Sequence, residues 1–393
     1  MLPKSADIVI IGGGVMGASA AYHLAERGGV SVALVEKEAD FGQGSTGLCA
    51  GGIRHQFSTE VNVRLSIESI RMLERFPEEI GQDIGLKQIG YLFILDNEQD
   101  MAQFRQNVAL QNRLGVASRV LSVEEIRARV PLLNLDGVVG GTFYERDGLA
   151  DPHSVVMGYI NRARQLARRP GASPLHLLTG TEVVDIRLSG GKVQAVVTTQ
   201  GEIATGTILI AAGAWSGRIG DMLGLNIPIV PVRRQIAVTT PLPELPPDFP
   251  FVLFFGQSLY FHPESGQSIL TGMSNKDETP GFKMGVDPRW TEIHLLAAME
   301  RFPLLEKAGL LSEWAGPYEV TPDEQAILGR LPEVDGAFIA AGFSGHGFMH
   351  GPIVGKLMAE EILDGRAHTV NIDDLRYDRF LRQDRDVREY NVV

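Results

Sequence analysis

The sequence has one cysteine, Cys49, in 393 residues. A single thiol excludes an intramolecular disulfide, so the fold must stand on packing alone, and it fits a reducing compartment. No apolar run approaches the roughly 20 residues that cross a bilayer. A strand is expected from Ile8 onward, which leaves no room for a signal peptide and predicts a cytoplasmic protein without a membrane span. No basic cluster exceeds the pair Arg168 and Arg169, in a chain with a formal net charge of −12, which argues against nucleic acid as a partner. No metal-ligating pattern is read. What the chain has is length and apolar content: 44% hydrophobic residues are ample for the two domains that this length predicts.

The stretch from Ala6 to Asp40 organises the rest. Ile8 to Ile11 read as a buried strand, the glycines at 12, 13, 14 and 17 as a turn, and the following residues to Arg27 as a helix. A second apolar run, Val32 to Val35, ends at Glu36, at the spacing expected of the acid that binds an adenosine ribose in a dinucleotide fold. Gly12 permits the tight turn, Gly14 clears the approach of a pyrophosphate, and Gly17 lets helix and strand pack closely. The helix N-terminus presents free N–H groups to the phosphates. A carboxylate at Glu36 repels a 2′-phosphate, so NADP is the poorest candidate and FAD or NAD remains.

The loop FGQGSTGLCAGGIRHQF follows, with the hydroxyls of Ser45 and Thr46 among five glycines and with Arg54 and His55 at its close. Backbone amides and small hydroxyls suit phosphate and ring-edge contacts. Helices are expected at Glu60 to Phe76, Asp100 to Leu114 and Val123 to Val130, with strands at Gly90 to Leu95 and Val138 to Tyr144. Asp151 caps a helix that has Pro152 at its first position. Strands with a turn at Gly190 and Gly191 lead to Ile208, Leu209 and Ile210, and Gly213 and Ser216 follow in AAGAWS. Tyr260 and His262 alternate in LYFHPE on one strand face. The last segment, FIAAGFSGHGFMHGPIVGKLMAEEILDG, reads as a small-residue strand, a glycine loop and a helix starting at Pro352. One dinucleotide has no use for two ribose-binding turns, so this second glycine loop should serve another part of the same ligand. A flavin needs that more than a nicotinamide does.

With both glycine segments in place, the sequence resembles the D-amino-acid-oxidase-like flavoproteins, and among them the sarcosine oxidases. It is similar to the β subunits of heterotetrameric sarcosine oxidase and of archaeal proline dehydrogenase. The shared motifs run through nearly the whole chain: GGGVMG, AGGIRHQF, GYLF, DGLADP, AAGAW, TPDE and AAGFSGHGF. The resemblance implies an α/β architecture of two domains, in which a Rossmann-type FAD-binding domain is assembled from discontinuous segments at about 1–85, 145–220 and 325–393. The remainder, 86–144 and 221–324, forms a mostly antiparallel-sheet substrate domain. The implied FAD contacts are Gly12, Gly14, Met16 and Gly17, then Glu36 and Lys37. Gly44, Ser45, Thr46 and Gly52 follow beside the phosphates and flavin. Val183 is at the adenine, with Ala212 and Gly213 next, and Gly342, Gly345, His346, Gly347, Phe348 and Met349 lie along or near the ring.

For the substrate, the family's carboxylate-binding arginine matches Arg54, a residue type whose planar fork makes two parallel bonds to an acid. Tyr318 matches a tyrosine of the same pocket, and Tyr260 joins the catalytic set. Several positions depart from the monomeric sarcosine oxidases. Gly316 replaces the cysteine that carries their flavin, so FAD is expected to be non-covalent. Met349 replaces a second cation, which leaves any help for Arg54 to His350. Leu270 falls near their oxygen-activating lysine, and Ser274 near a pocket histidine. The expected reaction is oxidation of the C–N bond in a small secondary amino acid, such as sarcosine, another N-methyl amino acid or proline. Hydride passes to the flavin and water hydrolyses the imine. The departures also leave room for an α-type subunit or other electron acceptor, and for a flavoprotein that acts as an assembly factor.

Overall fold

The computed structural model describes residues 2–381 and 388–392; residues 1, 382–387 and 393 of the expected segments 1–85 and 325–393 lie outside them. Ile8–Ile11, all β-branched and buried, form the centre of a six-stranded sheet. Its strands lie in the order Ile327–Arg330, Ala337–Ala341, Ile208–Ile210, Ile8–Ile11, Val32–Val35 and Leu175–Leu178. All neighbours are parallel except the first pair. Near-continuous apolar runs suit strands covered on both faces. Val15–Arg27 packs on one face together with Pro152–Ala167 and Gly347–Leu363. Val183–Ser189, Lys192–Thr198 and Gly201–Ala204 form a separate three-stranded antiparallel sheet.

A second, eight-stranded sheet contains, in order, Leu310–Val320, Val230–Thr239, Ile269–Met273, Leu259–Pro263, Phe251–Phe254, Tyr91–Leu95, Gly140–Tyr144 and Arg119–Leu121. Seven neighbouring pairs join these strands, and only Phe251–Phe254 with Tyr91–Leu95 is parallel. This is the mixed architecture expected, with one sheet nearly all parallel and the other nearly all antiparallel. Among the described residues no helix is long and apolar enough to cross a membrane.

The last long helix corrects the sequence reading. It starts at Gly347, and Pro352 lies inside it instead of opening it. A proline this near a helix start removes one N–H bond, while the Pro352 carbonyl accepts the Ser19 hydroxyl at 3.0 Å. The earlier start brings the helix N-terminus to the glycine loop.

Candidate functional site

Strand ends, the two glycine loops and the eight-stranded sheet enclose one cavity of about 1810 Å3, including its open mouth. Residues of both glycine loops share its wall, as one dinucleotide gripped at two places requires. It lies at the carboxyl ends of the parallel strands, where open α/β sheets bind ligands.

At one end, Glu36 accepts the N–H groups of Gly13 at 2.7 Å and Glu38 at 2.9 Å. Those bonds fix a carboxylate on the wall of the cavity. Lys37 pairs with Glu38 at 2.7 Å and lies 4.0 Å from the centre of the Trp215 ring. The helix Val15–Arg27 has Gly14 as its N-cap and no side-chain cap, although Thr46 Oγ1 accepts the Val15 N–H at 3.2 Å. The helix from Gly347 likewise starts without a side-chain cap at the cavity edge. Two uncapped helix starts on one long cavity, with an acid at its end, fit the anionic, extended shape of FAD.

Gly12, Gly14, Met16, Glu36, Lys37, Gly44, Ser45, Thr46, Gly52, Val183, Ala212, Gly213, Gly345, Gly347, Phe348 and Met349 all line the cavity. Gly17, Gly342 and His346 do not form its wall. A Cβ on Gly17 would stand 1.9 Å from the Gly12 carbonyl oxygen, so Gly17 serves helix–strand packing. Gly342 has a φ of +82° and donates its N–H to Glu319 at 3.0 Å. The His346 ring faces inward, with Nε2 3.1 Å from the Glu324 carbonyl and Nδ1 3.3 Å from His350. His350 gives Arg54 no direct help. It is buried against the Ser66 hydroxyl at 2.9 Å, and burial holds it well below the usual histidine range.

Where the cavity meets the eight-stranded sheet, Arg54, Tyr91, Phe251, Tyr260 and Tyr318 come together. Arg54 is 5% exposed. Its loop is pinned by Asp147, which accepts the His55 N–H at 2.8 Å, faces His55 Nδ1 at 2.7 Å and accepts the Gln56 amide at 3.1 Å. Arg54 Nη1 donates to the Gln56 carbonyl at 2.7 Å, Nη2 donates to the Asn391 carbonyl, and the guanidinium lies 3.9 Å from the centre of the Phe57 ring. Burial lowers its pKa, opposed by the nearby Tyr91, Glu389 and Asp147, yet a guanidinium keeps its proton in proteins. Tyr91 stacks on Phe251 with ring centres 4.1 Å apart. Burial pushes the phenols of Tyr91, Tyr260 and Tyr318 up, which keeps them neutral. Leu270 and Ser274 are not on the wall; Leu270 is buried in the apolar cluster with Ile236, Val238 and Tyr260.

The sequence pattern of the DAO family, FAD dependent oxidoreductase, matches residues 7–361. The chain belongs to this family. This FAD-dependent oxidoreductase is 30% identical over 434 residues to FAD-dependent oxidoreductase domain-containing protein 1 of Xenopus laevis, covering 100% of this chain and 85% of that protein. It is 30% identical over 376 residues to mitochondrial sarcosine dehydrogenase of Mus musculus, covering 93% of this chain and 40% of that one. The chain therefore spans less than half of that dehydrogenase. Among solved structures, L-proline dehydrogenase from P. horikoshii superposes with a TM-score of 0.88 at 33% identity, covering 97% of this chain and 99% of that one.

Two ionisable side chains on the wall bear on the chemistry of this FAD-dependent oxidoreductase, and the second, Glu319, was hidden from sequence reasoning. Cys49 lies on the cavity wall, but burial pushes its thiol up to about 12, which suppresses the thiolate that covalent attachment would use. Acid precipitation should therefore release the flavin into the supernatant; yellow colour retained in the washed pellet would contradict this. Glu319 also lines the cavity, and burial pushes its carboxyl up to about 7, opposed by the N–H groups of Gly342 and Phe343. With a folded value above the unfolded 4.5, its stability contribution is fully present below pH 4.5 and lost as pH rises through about 7. In the FAD-free protein, Glu319→Gln should flatten the fall in stability between pH 5 and 8 by about 1–3 kcal/mol. Denaturant midpoints for both proteins at the two pH values check this.

Proposed function

We propose that this enzyme oxidises the C–N bond of a small secondary amino acid, with sarcosine, another N-methyl amino acid or proline as the substrate class. The observation that carries the reading is a buried guanidinium, Arg54, on the wall of the flavin cavity beside Tyr91, Tyr260 and Tyr318. When bound, FAD supplies a two-electron acceptor for the hydride of the substrate carbon. Arg54 binds the substrate carboxylate with N–H groups left over from its two backbone carbonyls. A fixed carboxylate orients the carbon that bears the hydrogen, and positioning of this kind is the main contribution expected of the chain. The aromatic wall limits water at the reacting carbon, and the buried phenols remain neutral donors. The sarcosine dehydrogenase and L-proline dehydrogenase to which the chain is similar support the substrate class.

An acceptor other than oxygen is the preferred reading for the electrons. Among the described residues the cations lining the cavity are Lys37, Arg54 and Arg218, and Lys37 is engaged with Glu38 and Trp215. Anaerobic mixing with sarcosine, L-proline and D-amino acids, followed by air, tests both parts. Secondary amines should bleach the flavin rapidly, and air should restore its colour slowly. Fast bleaching by a primary amine or a non-amine alone would overturn the substrate class, and fast recovery in air the acceptor. No bleaching by any amine would favour a binding or assembly role.

A further inference from the structure

We propose that the segment 389–392 shapes the amino-acid pocket, with Glu389 as a positioning residue for Arg54 and Val392, on the cavity wall, as a limit on the size of the acid. The inference rests on the reading of Arg54 as the carboxylate binder. Three observations carry it, and the first is the anchor. Glu389 is 1% exposed. Its carboxylate accepts the Ser58 N–H at 2.8 Å and hydroxyl at 2.5 Å, the Thr59 N–H at 3.2 Å and hydroxyl at 2.8 Å, and the Asn62 amide at 3.0 Å. Thr59 is the N-cap of the helix Glu60–Glu74 and makes no side-chain cap of its own. A carboxylate from far along the chain therefore supplies the negative charge that a helix start favours.

The second observation is what the anchor holds. The Asn391 N–H bonds back to Glu389 at 3.0 Å. The Asn391 side chain donates to the Gln56 carbonyl at 3.1 Å and accepts from the Asn107 amide at 3.0 Å. These bonds set the Asn391 carbonyl against Arg54 Nη2, while Nη1 is held by Gln56. Two backbone carbonyls thus fix the plane of the guanidinium and use two of its five donors, leaving three for a substrate. A fork whose plane is preset binds a carboxylate with less ordering on arrival.

Third, Val392 follows at once and lines the cavity. Its side chain occupies space that a bulkier acid would need. Deleting that side chain should widen the pocket without touching the anchor.

Acetate and benzoate, a small and a large acid that cannot be oxidised as amines, are titrated into the FAD-loaded protein while the flavin absorbance is followed. Glu389→Ala should weaken both acids by roughly tenfold or more at unchanged flavin content, with Glu389→Gln in between. Val392→Gly should improve benzoate relative to acetate by roughly tenfold. Unchanged affinities in Glu389→Ala would overturn the positioning role, and so would tighter binding of both acids, because the segment would then compete for Arg54. An unchanged ratio in Val392→Gly would overturn the size limit, and this variant carries the test if Glu389→Ala does not fold. Should the wild-type protein bind neither acid, the reading of Arg54 falls and this inference with it. Binding in the wild type with no change in Glu389→Ala removes the inference alone.

Discussion

Arg54→Ala is expected to raise the KM for the amino-acid substrate by about 100-fold or more, with FAD still bound. Truncating one partner of a buried charge pair costs about 2–5 kcal/mol, and the fork of Arg54 is the cation at the aromatic end of the cavity. The loss should be confined to ligands that carry a carboxylate. An amine without one should react about equally poorly with either protein. Arg54→Lys should recover little, because an ammonium replaces two parallel bonds with one point charge and cannot satisfy the Gln56 and Asn391 carbonyls together. Steady-state kinetics, with flavin content measured by absorbance, decide the matter. An unchanged KM in Arg54→Ala would remove this side chain from substrate binding.

Gly17→Val is expected to abolish folding of the flavin-binding sheet. Even a bare Cβ would stand 1.9 Å from the Gly12 carbonyl oxygen and 3.2 Å from Leu34. Both atoms belong to the buried centre of the sheet and the turn. Relief would require the helix Val15–Arg27 to lift off the strand, and that helix is also packed between Pro152–Ala167 and Gly347–Leu363. Overpacking of this kind costs about 3 kcal/mol or more, a large share of the roughly 5–15 kcal/mol that holds a domain together. Gly14→Ala is the informative contrast. Its Cβ would meet the Thr46 hydroxyl at 3.2 Å, a side chain that can turn away. That variant should fold, with its loss appearing in FAD affinity. Thermal unfolding and flavin content distinguish the two cases, and a folded, yellow Gly17→Val protein would show that the close contact is not needed.

Much of this was legible in the chain before any coordinates. The glycine turn, the uncapped helix and Glu36 are local features, because a βαβ unit places them within one short stretch, and all of them came out on one cavity. The loop that closes with Arg54 was readable as a loop beside the cofactor turn, whereas Arg54 itself was singled out by the resemblance to a family. Local pattern failed where the answer depended on what lies across from a residue. Gly342 and His346 share a segment with Gly345, Gly347 and Phe348, yet their side of the loop faces Thr321, Phe57 and Glu324. Alternation placed Tyr260 and His262 on one strand face, but not which of them would reach the cavity. Tyr260 does, while His262 stacks on Phe251 at 5.1 Å. Proline's preference for a helix start pointed to Pro352, but the preceding turn is already helical, with the Met349 carbonyl accepting the Ser69 hydroxyl and the His350 ring set against Ser66.

The sequence by itself determined the fold class, because strand runs, glycine spacing and helix starts are short-range properties of a chain; the flavin followed from its resemblance to a family. The tertiary structure decided which faces line the cavity, how Asp147 pins the loop of Arg54, that the Asn391 carbonyl meets that arginine, and that Val392 joins the cavity wall. Those hydrogen bonds join residues 92 and 337 positions apart. No periodicity encodes them, since they exist only after two sheets and the end of the chain have packed against one another.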